Sequence, residues 1–310
     1  MNDIPNLKYT EHTYGTENEL QRLGVWRWIQ PPVAQHTVPA DPQVPKTKYW
    51  LIYVHGGIWR DPRITHLQAE AGISFLAGES DQSRIAGFAS LDYRLSPHPE
   101  FPQNPETTPV EKLRSAKHPD HLSDVRSALA FLRREYKIGN GEGETPYVLY
   151  GHSCGATLAF QVVMGFDCGP SRDEVPMPVA VVGFQGMYDL AGLNERFDGA
   201  YREMIAGAFG DDEEAWNEVS PARFSGKFIE TWVGPEMSLA VLAYSPQDEW
   251  IDMPEIDAME ARLREEEKGG IRVETRRDLT GGHDAVAESG RTIANVLVRT
   301  IAGLDNLART

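Results

Sequence analysis

The constraint that narrows the fold most is an alternation. Six short runs, at residues 49–54, 87–93, 147–151, 179–184, 239–244 and 272–278, read as strands, and most are apolar at consecutive positions. A strand that is apolar on both faces has both faces covered, as in a parallel sheet lying between layers of helix. Helical spacing fills the intervals. Leu122, Val125, Leu129 and Leu132 fall three and four residues apart and mark one apolar face, with Asp120 or Ser123 placed to cap its start. Further helices are predicted at residues 68–77, 157–165, 254–267 and 285–304. This order implies an α/β fold: an open, mostly parallel, doubly wound sheet with helices on both faces.

Residues 23–28 and 9–14 are placed to add antiparallel edge strands, and the Pro-rich stretch 31–45 reads as a loop. Between Asp189 and Gly234 the alternation lapses into an acidic, helical stretch with no strand, which reads as a cap inserted over the sheet. No internal repeat or linker divides the 310 residues, so one domain carrying a cap is expected.

Charge excludes some functions. With 46 acidic and 30 basic residues the net charge is −16, which argues against nucleic acid and anionic membrane surfaces as partners. No run approaches the roughly 18 apolar residues of a membrane span. The segment MNDIPNLKYTEHTYG has neither an apolar signal core nor an Arg-rich transit pattern. Cys154 and Cys168 are too far apart for a CxxC redox or zinc pair. A soluble, reduced, cytoplasmic setting is the expectation.

Three motifs carry chemistry. The first is Gly151-His152-Ser153-Cys154-Gly155, a GxSxG between a predicted strand and a predicted helix. Such a turn strains the backbone at the serine and exposes its hydroxyl at a helix N-terminus, where negative charge is favoured. The alternative is a plain strand–helix turn. The second motif is Gly281-Gly282-His283-Asp284, a histidine in a glycine-loosened loop after the last strand. Among the other histidines, His118 and His121 read as decoration at the start of a helix and not as metal ligands. A base needs an orienting acid, and Asp248 follows the penultimate strand, with Glu249 and Asp252 as its neighbours and competitors. The order Ser153, Asp248, His283 is that of an α/β-hydrolase.

The third motif is YVHGGIWRDP, residues 53–62, where a strand runs into a histidine, two glycines and a tryptophan. Acyl transfer creates an oxyanion that needs preorganised N–H donors. Glycines let a loop turn its amides inward, so Gly57 and Ile58 are predicted donors, joined by the amide of Cys154 after the nucleophile. His55 is expected to brace the loop by hydrogen bonding and not to act as the base.

Taken together, HGGIWRDP, DYRLSPH, GHSCGATLAFQ, YDL and GGHD resemble the fungal-type kynurenine formamidases (arylformamidases) of the α/β-hydrolase superfamily, from about Tyr49 to the C-terminus. The tryptophan of HGGxW is the discriminating part, because GxSxG and the late histidine are common to the superfamily. The resemblance implies hydrolysis of N-formyl-L-kynurenine to L-kynurenine and formate, in tryptophan degradation towards NAD. It implies Ser153, Asp248 and His283 as triad, Gly57 and Ile58 as main-chain oxyanion donors, no metal or organic cofactor, and for some members a homodimer. On the leaving-group side Trp59, Tyr188 and Trp250 are candidates to pack on the aryl ring, and Arg60 to meet the substrate's carboxylate. A carboxylesterase or lactonase of the same fold, and a non-catalytic binding protein built on it, are the competing readings.

Overall fold

The computed structural model describes residues 3–30, 47–78, 82–232 and 238–307. The loop expected at 31–45 lies outside them, as do the last two residues of the 189–234 stretch. Among the described residues, eight strands form one sheet: β1 (Leu7–Thr13), β2 (Arg22–Trp28), β3 (Tyr49–Val54), β4 (Ile85–Leu91), β5 (Tyr147–His152), β6 (Ala180–Phe184), β7 (Ser238–Ala243) and β8 (Ile271–Arg276). Their spatial order is β1-β2-β4-β3-β5-β6-β7-β8. From β4 to β8 the neighbours are parallel, while β1 pairs antiparallel with β2 and β2 with β4.

Parallel neighbours require crossovers, which helices between the strands supply, and two more helices follow β8. In chain order these are α1 (Glu70–Gly78), α2 (Asp120–Tyr136), α3 (Cys154–Met164), α4 (Leu190–Arg196), α5 (Arg202–Phe209), α6 (Glu213–Val219), α7 (Phe228–Thr231), α8 (Met253–Arg264), α9 (His283–Glu288) and α10 (Gly290–Leu307). The side-chain period of two along β3 divides the core between the two faces. Trp50, Ile52 and Val54 join one apolar cluster with Leu122, Val125 and Leu129 of α2 and Phe160 of α3. Tyr49, Leu51 and Tyr53 point the other way, into a second cluster with Ile73 and Leu76 of α1 and Leu297 and Ile301 of α10.

The topology also places the site. From β3 the chain crosses to β4 on one side, and β5 then lies on the other side of β3. The loops after β3 and β5 therefore diverge and leave a crevice at the C-terminal edge of the sheet. The HGG loop and Ser153 sit at that edge.

Two local expectations fail. Helix α2 begins after Pro119, and neither Asp120 nor Ser123 caps it with a side-chain bond. The helix expected at 285–304 is two helices, α9 and α10, separated at Ser289. The Ser289 hydroxyl accepts the Thr292 amide at 3.2 Å, so a residue read as helix interior starts a new helix. The stretch from Asp189 onward holds α4, α5, α6 and α7 and, up to Trp232, no strand.

Candidate active site

Ser153 stands between β5 and α3 at φ 55° and ψ −128°. A left-handed φ crowds the Cβ of any L-residue, and only tight packing around the turn maintains it. That packing uses both flanking glycines. A Cβ on Gly155 would stand 2.2 Å from the Val54 carbonyl oxygen, and one on Gly151 would stand 2.3 Å from the Gly155 carbonyl. The serine is thus fixed at the start of α3, beside the unpaired amides of a helix N-terminus.

His283 opens α9, and its Nδ1 lies 2.8 Å from Asp248 Oδ2, with both side chains buried. Asp248 Oδ1 is fixed by the amides of Trp250 at 2.8 Å and Ile251 at 2.9 Å. The two competing acids have other partners. Glu249 accepts the His283 amide at 2.9 Å, and that bond holds its carboxyl below the usual range. Asp252 pairs with Arg196 at 2.6 Å. A support that sequence reasoning missed is His152, whose Nε2 lies 3.1 Å from the His283 carbonyl oxygen and whose ring centre lies 4.4 Å from the His283 ring. Burial keeps His152 well below the ordinary histidine pKa, so it is a neutral donor to that carbonyl. As the variable residue of GxSxG, it carried no signal of its own.

The glycine loop turns left-handed at three successive residues, with φ 94° at Gly57, 51° at Ile58 and 57° at Trp59. For the two non-glycine residues this costs about 1–2 kcal/mol each. Contacts on both sides hold the turn. The Trp59 amide donates to Cys154 Sγ at 3.3 Å, and the Ser96 amide donates to the Trp59 carbonyl at 2.9 Å. Burial pushes the Cys154 thiol up to about 11, so the sulfur stays protonated beside these amides. His55 Nδ1 donates to the Gly56 carbonyl at 2.8 Å and its ring stacks on Tyr93, with centroids 4.5 Å apart. Burial lowers the His55 pKa.

Ser153, His283, Gly57 and Ile58 line one cavity of about 530 Å³. Arg60 and Trp250 line it as well, but Arg60 is already paired with Glu203 at 2.8 Å. Trp59 and Tyr188 do not line it, which corrects the expectation that they face a substrate ring. Trp59 is fully buried, edge-on to Phe209 at 4.9 Å, and Tyr188 is fully buried, edge-on to Phe160 at 5.5 Å. The apolar wall comes instead from Met187, Tyr201, Met204 and Ile251. Tyr201 and Met204 belong to the helical 189–234 stretch, whose sequence held no motif to single them out. Among the described residues no group of three or more His, Cys, Asp or Glu is placed to hold a metal ion.

No family model matches the chain. It is 37% identical over 264 residues to a kynurenine formamidase-like hydrolase of Fusarium equiseti, covering 84% of this chain and 85% of that one. It is 32% identical over 260 residues to a kynurenine formamidase of Aspergillus versicolor, covering 77% and 84%. The chain belongs to the kynurenine formamidase family. A kynurenine formamidase of Meyerozyma guilliermondii is 28% identical over 263 residues, covering 84% of this chain and 87% of that one. Among solved structures, esterase B of Lactobacillus rhamnosis matches with a TM-score of 0.61 at 16% identity, covering 98% of this chain and 87% of that one. Esterase 2 of Thermogutta terrifontis matches at 0.62 and 16%, covering 99% and 95%. At that identity the esterases show the fold of this kynurenine formamidase relative, the α/β-hydrolase fold.

Proposed function

We propose that the protein is a serine hydrolase that cleaves N-formyl-L-kynurenine to L-kynurenine and formate. The observation that carries this reading is the 2.8 Å contact between the buried Asp248 carboxylate and His283, a histidine that lines the same cavity as Ser153. Because Asp248 occupies Nδ1, the Nε2 of His283 is the nitrogen left to take the proton of Ser153. The serine oxygen attacks the formyl carbon, and the amides of Gly57, Ile58 and Cys154 receive the oxyanion. His283 then hands its proton to the departing arylamine as the C–N bond breaks. Water repeats the sequence in the second half, with His283 as base, and releases formate from the serine ester.

A formyl group needs little acyl pocket, so most of the cavity is left for the amine half. That agrees with apolar groups such as Met204 and Trp250 in its wall. The test is a fluorophosphonate label read by peptide mass spectrometry, alongside the Ser153→Ala variant. The label is expected on Ser153, with loss of formamide hydrolysis in the variant. A variant that hydrolyses as fast as the unmodified protein would refute the reading.

A further inference from the structure

Two of the described arginines line the catalytic cavity, and their guanidinium groups are engaged differently. Arg63 gives one whole edge to Asp61, through Nε at 2.9 Å and Nη2 at 2.6 Å, and most of its side chain is exposed. Arg60 is buried, and Glu203 of α5 takes only its Nη1, with both carboxylate oxygens at 2.8 Å. The Nε and Nη2 atoms of Arg60 have no partner among the described residues, and neither is sealed off from solvent. An edge of two parallel N–H donors is thereby left open, the geometry that binds a carboxylate through two charge-assisted bonds.

That group is fixed from two sides. The Arg60 amide donates to the Gly57 carbonyl at 3.0 Å, so its side chain leaves the same left-handed turn that carries the oxyanion donors. Glu203 holds Nη1 from the helix that also brings Met204 to the cavity wall. Glu100, Asp284 and Glu288 line the cavity as well, but all three are exposed and screened by water and salt, whereas a buried guanidinium is screened much less. In the neighbouring groove, which shares His98 and Pro99 with the cavity, Arg114 also lacks a carboxylate partner among the described residues. Its Nη2 donates to the Phe101 carbonyl at 2.5 Å and its Nε is sealed, which closes the edge that Arg60 keeps open.

We propose that Arg60 is the specificity residue for a free carboxylate on the amine half of the substrate, which binds the Nε–Nη2 edge while Glu203 keeps Nη1. The substrate class is aryl formamides whose amine half ends in a carboxylate. This rests on the formamidase reading and leaves its bond chemistry unchanged.

The experiment measures kcat and KM for N-formyl-L-kynurenine and its α-carboxamide in the unmodified protein, Arg60→Gln, Arg60→Lys and Arg114→Gln. In the unmodified protein the acid is expected to exceed the carboxamide in kcat/KM by about tenfold or more, as when a charge-assisted pair is replaced by a neutral contact. Arg60→Gln is expected to bring that ratio to about one by raising KM for the acid. Arg60→Lys keeps the charge but not the two-donor edge, and is expected to give a ratio in between. Arg114→Gln is expected to keep the full ratio. A loop merely disturbed at position 60 would slow both compounds alike and leave the ratio standing, which overturns the inference. So does a carboxamide hydrolysed as well as the acid by the unmodified protein, or a ratio lost in Arg114→Gln and kept in Arg60→Gln. In each of those results the formamidase reading stands. If both compounds are inert with the unmodified protein, that reading falls and the inference falls with it.

Discussion

Asp248→Asn separates the orienting role of this carboxylate from its structural one. Oδ1 accepts the amides of Trp250 and Ile251 at 2.8 and 2.9 Å, while Oδ2 faces His283 Nδ1 at 2.8 Å. An asparagine in the same pose keeps its oxygen on the two amides and turns its NH₂ group toward the imidazole. Two donors then oppose each other unless the ring carries its proton on Nε2. A neutral ring protonated there cannot accept the proton of Ser153. Loss of the correct tautomer is expected to lower kcat by about 10⁴-fold, or about 5 kcal/mol of transition-state stabilisation. Stability falls by only about 2 kcal/mol, the worth of one hydrogen bond to a charged group, because the amides remain satisfied. Asp248→Ala also strips those amides and is expected to unfold earlier. The assay is release of the arylamine from N-formyl-L-kynurenine, with urea unfolding of the same preparations. An asparagine variant that is folded and keeps more than a tenth of the rate would show that Asp248 does not orient the base.

Other consequences follow from single contacts. Gly155→Ala places a Cβ 2.2 Å from the Val54 carbonyl oxygen and 2.5 Å from that of His55, and is expected to cost about 3 kcal/mol or more in urea unfolding. Ser153→Gly relieves a side chain held at φ 55° and is expected to gain about 1 kcal/mol of stability while abolishing hydrolysis, so an unchanged unfolding midpoint would argue against strain there. Burial raises the Glu255 carboxyl to about 7 against the pull of the Asp189 and Tyr188 amides and Arg196. Its folded pKa lies above the unfolded one, so its contribution is full below about pH 4.5 and is lost as pH rises through about 7, a swing on the order of 3 kcal/mol. Glu255→Gln is expected to flatten that part of the stability profile, and an unchanged slope between about pH 5 and 8 would contradict it.

The parts of the molecule that are legible in the sequence are those with local causes. Residues 49–54 read as a strand because all six are apolar or aromatic, and β3 has those bounds. Ser153 and the loop at Gly57 can be located because a strained turn demands glycines at fixed offsets. What stays hidden depends on partners far along the chain. Arg60 reads as free for a substrate, since nothing near it announces Glu203, 143 residues away. Trp59 reads as a cavity wall, but a left-handed turn and Phe209 take its ring into the core. Asp248 and Glu249 are adjacent acids, and only the folded loop decides which faces the imidazole and which meets the His283 amide.

The most direct measurement is kcat/KM on N-formyl-L-kynurenine beside a short-chain p-nitrophenyl ester, for the unmodified protein and Ser153→Ala. The formamide is expected to be turned over at least as efficiently as the ester, and the variant to lose both activities. Rapid ester cleavage with the formamide inert would contradict the assignment of this site to formamide hydrolysis.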